Sequence, residues 1–195
     1  MIGNKISIVY NHQHLKRQNF TDNIYVADYT EQTKLLPVKR SVEFFCTHCP
    51  TDITYFSIKN EPKLSVDGIE FDNLSFVRSG RPLTQCESVF FPNTSNVDSW
   101  ILFCELKYSA KPHRNGDNLT KALKQLFKTR YYYVQNGIIS QNNTSYLIGS
   151  LPMQSEPFPN FVITPARLAS LKRKKNIVLR LQNTVEILDN RLIKV

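Results

Sequence analysis

The sequence predicts an α/β protein with a mixed central sheet flanked by helices and a β-rich N-terminal half. Three observations predict it. Between Ile6 and Phe91 the apolar runs are short and rich in β-branched and aromatic residues, and Pro50, Pro62, Gly68 and Gly80 punctuate them. Between Asn118 and Val134, Leu119, Ala122, Leu123, Leu126, Phe127 and Tyr131 recur at helical spacing. From Ser88 onward the apolar segments alternate as strand, strand, helix, strand, helix, strand.

In the first half, "ISIVY", "NIYVADY", "VEFF", "ITYFSI", "FDNLSFV" and "SVFF" read as strands, and a short helix is open around Leu35 to Val42, limited by Pro37. "SVFF", the loop "PNTSNVDS" and "WILFCELK" read as an antiparallel hairpin centred near Asn96. The following helix, 118–134, can be capped by Asp117 or Asn118 and can end at Gly137. "SYLIGSLP" is a buried strand, and Thr164 with Pro165 starts a second helix through "LKRKKN". "IVLRLQ" and "VEIL" close the chain as strands. At 195 residues one domain is expected, with 1–84 as its β-rich part and 85–195 as its α/β core.

Twenty-five Lys and Arg against 16 Asp and Glu give a formal charge of +9, which favours a polyanionic partner, nucleic acid first and an anionic membrane surface second. No stretch reaches the ~20 apolar residues of a membrane span. The start, "MIGNKISIVYNHQH", turns polar too early for a signal peptide. A cytoplasmic location with reduced cysteines is therefore expected. Six glycines and no G-x-x-x-x-G-K, dinucleotide fingerprint or G-x-S-x-G argue against nucleotide-wrapping loops and a serine-hydrolase elbow.

The apolar strand 100–106 runs into Glu105, Leu106 and Lys107. A hairpin centred near Asn96 sets Glu87 opposite Glu105, and alternation puts Glu87, Glu105 and Lys107 on one face. Two carboxylates so close raise each other's pKa unless a cation lies between them. Magnesium suits such oxygen ligands and keeps waters and substrate phosphates besides. The bland alternative is a solvent-facing strand end with a surface ion pair of little worth. Asp98 is a rival first acid, but it sits in the loop.

The hairpin "CESVFF…WILFCELK", the basic helix after it and the further strand resemble the PD-(D/E)xK nuclease superfamily, over 85–182. The resemblance implies a restriction-endonuclease-like αβββαβ core. It implies Glu87 and Glu105 as ligands of Mg2+ (with Mn2+ as substitute), the Leu106 carbonyl beside them, and Lys107 as the catalytic lysine. The first acid is Glu where the family usually has Asp, and Gln85-Cys86 replaces the usual proline. Lys121, Lys124 and Lys128 form one stripe on the helix, with Gln125 and Arg130 near it, as expected of a groove for nucleic acid. A solvated helix face is the alternative. "RYYY" at 130–133 can stack unpaired bases or enter the core. "LKRKKN" can grip a backbone or merely favour its helix end. Cys46 and Cys49 have the spacing of half a zinc site, whereas Cys86 and Cys104 read as buried core cysteines.

The expected function is thus a metal-dependent endonuclease acting on DNA, with no membrane partner and with a homodimer as an admissible assembly. The alternative is a non-catalytic nucleic-acid- or protein-binding domain that keeps a degenerate nuclease-like fold.

Overall fold

The computed structural model describes residues 1–195 except Asn11 and Asn73, and excepts the side chain of His12. The first half contains α1 (Ile2–Val9), β1 (Leu15–Phe20), β2 (Ile24–Asp28), α2 (Thr30–Thr33), β3 (Val42–Phe45), β4 (Phe56–Lys59), β5 (Val66–Phe71) and a small ribbon of β6 (Val77–Arg78) and β7 (Arg81–Pro82). The second half contains β8 (Ser88–Pro92), β9 (Ile101–Leu106), α3 (Asn115–Gln135), β10 (Ser145–Ser150), α4 (Pro165–Lys175), β11 (Ile177–Leu181), β12 (Thr184–Ile187) and β13 (Ile193–Lys194).

Two sheets result. The larger has the order β1-β5-β8-β9-β10-β11, and the smaller β13-β12-β4-β2-β3. In the larger sheet β1, β5, β8 and β9 pair antiparallel, whereas β10 runs parallel to β9 and β11 parallel to β10. The crossover between β9 and β10 is α3, the helical connection that parallel neighbours require.

Alternation along β9 sorts the layers. Ile101 and Phe103 join Ile2 and Ile6 of α1 and Leu126 and Tyr133 of α3 in one apolar cluster. Leu102, Cys104 and Leu106 join Ile24, Phe56 and Val185 of the smaller sheet in another. Helices therefore cover one face of the larger sheet and the smaller sheet covers the other. Gly68 marks how closely they meet: a Cβ there would lie 2.7 Å from the Phe90 ring and 3.0 Å from Phe44. The two halves of the sequence also interleave, because β5 lies inside the larger sheet while β12 and β13 complete the smaller one.

Several expectations are met. The hairpin pairs Ser88 with Cys104, Val89 with Phe103 and Phe90 with Leu102, the register of a turn centred at Asn96. Thr164 Oγ1 accepts the Arg167 N–H at 3.3 Å to cap α4, and Gly137 follows α3 with φ +67°.

Others are corrected. "ISIVY" lies mostly in helix α1, not in a strand: Ile2 and Ile6, one turn apart, are buried while Ile8 is 84% exposed. Packing of that one stripe onto the sheet outweighs the β-propensity of its Ile and Val residues. In "FDNLSFV" only Phe71 and Val77 belong to strands, Asn73 lies outside the described residues, and Asp72 bonds to Ser75 and Leu74 in a turn. The segment 35–42 holds no helix; the short helix α2 precedes it at Thr30–Thr33, and Val42 already belongs to β3. Strand β1 (LKRQNF), all of β5 (VDGIEF) but Phe71, and the two-residue strands β7 and β13 escape the sequence pattern.

Candidate active site

The site forms where the hairpin opens. One step past the last ladder pair, Glu87 stands opposite Glu105, and each carboxylate accepts a backbone amide of the other strand. The Glu87 N–H donates to Glu105 Oε2 at 3.0 Å, and the Leu106 N–H donates to Glu87 Oε2 at 2.9 Å. Lys107 Nζ forms an ion pair with Glu105 Oε1. The Leu106 N–H points at Glu87, and in extended backbone the Leu106 carbonyl shares that strand edge. The fold thus brings Glu87, Glu105, Leu106 and Lys107 together.

Glu105 is completely buried, so the site is not a solvent-facing strand end. Burial pushes its carboxyl up to about 7, against the Lys107 ammonium and the Glu87 N–H that favour the charged form. Burial, then Glu105, then Asp28 drive Glu87 well above the ordinary carboxylate range, and Lys107 offsets only part of that. Burial pulls Lys107 down, but Glu105 and Glu87 outweigh it and leave the ammonium above its usual value. Lys107 therefore stays charged, while the two acids carry more negative charge than one lysine neutralises once both ionise.

Asp28 is the residue the sequence did not reveal. It ends β2 of the smaller sheet, its N–H donates to Tyr108 Oη at 3.2 Å, and its Oδ1 accepts the Thr30 N–H at 2.8 Å. Two hollows meet at it. One, about 470 Å³, is lined by Leu106, Lys107 and Arg114, and the other, about 410 Å³, by Arg40, Glu87 and Gln125. The only sequence signal was an Asp closing the strand "NIYVAD", which says nothing of the sheet that would face it.

The helix residues divide. Lys121, Lys124 and Lys128 are exposed along α3. Gln125 Nε2 donates to the Gln85 carbonyl at 2.9 Å, which fastens the chain just before Glu87 to α3. Arg130 lies off the stripe and is buried, its Nη2 donating to the Lys175 carbonyl at 2.8 Å. Asp98 pairs with Arg191 at 3.1 Å at the loop end of the hairpin, away from Glu105. Cys46 and Cys49 are exposed thiols, while Cys86 and Cys104 are buried in the hairpin. Among the described residues no three His, Cys, Asp or Glu side chains form a ready ligand cage. No helix among them is long and apolar enough to cross a membrane.

Comparison of the chain with protein-family models, with curated proteins and with solved structures gives no significant match.

Proposed function

We propose that the protein is a metal-dependent nuclease hydrolysing DNA phosphodiester bonds at the Glu87–Glu105–Lys107 site. The observation that carries this reading is the buried carboxylate pair on adjacent strands, with a lysine two residues beyond the second acid. Within the larger sheet the adjacent strands β5, β8 and β9, then α3 and β10, support it as well, since they run in the βββαβ part of the resemblance's order, with β1 to β4 and α2 standing between α1 and β5 in the chain.

The donors fit a magnesium ion. They are all oxygen, two carboxylates and one carbonyl, in a setting that leaves negative charge uncompensated. Glu87, Glu105 and the Leu106 carbonyl would hold the ion, which when bound polarises a phosphate and acidifies a bound water. Lys107, held beside Glu105, would orient the attacking water or stabilise charge on the phosphoryl group. Arg114, in the same hollow as Lys107, offers a second cation to the phosphate. The exposed lysines of α3 add affinity without sequence choice.

One observation favours the second reading, a nucleic-acid-binding domain without catalysis. The carboxylates already close the end of the hairpin by accepting the Glu87 and Leu106 amides, a structural task that needs no metal. Incubation with single-stranded, duplex and branched DNA separates the two. The nuclease reading expects cutting with Mg2+ or Mn2+ that EDTA abolishes, and the absence of cutting on all three substrates would leave the binding domain.

A further inference from the structure

On the other flank of α3, away from Gln125 and Gln85, a groove of about 610 Å³ runs between the helix and the α4–β11 junction. Its walls combine the apolar faces of Phe127 and Ile177 with Lys124, Lys128, Arg130 and Lys175. No acidic side chain lines it among the described residues. Arg130 sits at its base with only 9% of its surface exposed. Its Nη2 is engaged by the Lys175 carbonyl, but its Nε–H is buried with no partner among the described residues. A buried guanidinium N–H without an acceptor is costly. The Arg130 guanidinium lines the groove, and an anionic oxygen entering there would find a donor group that matches phosphate.

Tyr131 completes the groove. Its ring is 49% exposed, unlike the fully buried Tyr133, and Lys128 Nζ lies 6.0 Å from its centroid. An exposed ring beside cations, in a groove that tracks a backbone, is how proteins hold unpaired nucleotides. A duplex keeps its base faces inside the stack and offers none to such a ring. On the helical wheel, Lys121, Lys124 and Lys128 lie between the Gln125 side, which borders the Glu87 hollow, and the Phe127–Arg130 side, which borders the groove. The lysine stripe therefore bridges the two.

We propose that this groove holds a single-stranded segment of nucleic acid, one phosphate against Arg130 and Lys128 and one base stacked on Tyr131, as that strand runs across α3 to the Glu87–Glu105 hollow. The proposal rests on the nucleic-acid reading above but not on cleavage. It names the substrate form: a strand with unpaired bases flanking the reactive phosphate.

Fluorescence anisotropy with labelled dT10 and a blunt duplex of equal length, in EDTA so that nothing is cut, tests it. Tyr131→Ala is expected to weaken dT10 binding about ten-fold or more and to leave the duplex unchanged. Lys128→Ala is expected to lower the log–log salt slope for dT10 by about one. Arg130→Lys keeps the charge, removes the planar fork and is expected to weaken dT10 several-fold. Should that buried substitution unfold the protein, the two exposed variants still decide. Unchanged dT10 affinity in Tyr131→Ala, equal weakening of duplex and single strand, or full competition by inorganic phosphate would overturn the proposal. Failure of cleavage with Tyr131-dependent binding intact would sink the nuclease reading alone.

Discussion

Glu105 makes stability fall with rising pH, and the Glu105→Gln variant isolates the effect. Its carboxyl is raised from 4.5 to about 7 in the fold, chiefly by burial. The folded protein therefore holds this proton more tightly than the unfolded chain. The sign follows: the contribution is fully present below the unfolded value of 4.5 and is lost as pH rises through about 7. Integrated from pH 5 to pH 8, the rise from 4.5 to about 7 is worth roughly 2–3 kcal/mol. With a urea m-value of about 2 kcal/mol per M, the midpoint should drop by roughly 1 M between pH 5 and pH 8. Glu105→Gln removes one titrating group and relieves Glu87 of its like charge, so its midpoint should fall less over the same range, the remaining slope belonging to Glu87, which burial still raises. Magnesium adds an independent arm at pH 8. At ten times its Kd it should stabilise the parent by about 1.4 kcal/mol and leave Glu105→Gln unmoved. A parent midpoint flat from pH 5 to pH 8, or an equal slope in Glu105→Gln, would refute the assignment of that proton.

Lys107→Ala should abolish cutting while keeping the stabilisation by magnesium in urea melts, because the lysine is not a ligand; loss of both would make it part of the metal site. Reversal of Lys121, Lys124 and Lys128 to Glu should weaken binding to many sequences alike and flatten its salt dependence, as anisotropy titrations from low to high salt would show. Gly68→Ala pushes a methyl into the Phe90 and Phe44 rings and should cost roughly 1–3 kcal/mol in urea denaturation, without altering nucleic-acid affinity.

The hairpin and the two long helices were legible because their signals are local: the turn centre near Asn96 fixes register, Thr164-Pro165 starts α4, and the spacing of Leu119, Ala122 and Leu126 buries one helix face, from which Tyr131 of the same pattern turns out to be exposed. Register alone then aligned Glu87 with Glu105. Tertiary packing hid the rest. Helix α1 reads as a strand until a sheet is present to take Ile2 and Ile6. Strand β1 exposes Lys16, Arg17, Gln18 and Asn19, and its pairing with β5 shows no apolar alternation because polar bonds such as Arg17 to Asp67 at 2.7 Å hold its side chains. Asp28 could not be placed beside the site from sequence, since only the packing of the smaller sheet brings it there. Arg130 reads as a cation near the stripe, yet its side chain is buried off the stripe, with Nη2 held by the Lys175 carbonyl.

Single-turnover cleavage of labelled DNA at pH 8 with magnesium, comparing the parent with Glu105→Gln, tests the central claim most directly. The variant keeps the size of the side chain and one oxygen for the Glu87 amide, while it removes the charge and the acceptor that faces Lys107. A working site predicts metal-dependent cutting by the parent and a fall of at least about a hundred-fold in the folded variant. Equal cutting by both proteins would contradict it, as would a parent that cuts no DNA under any metal.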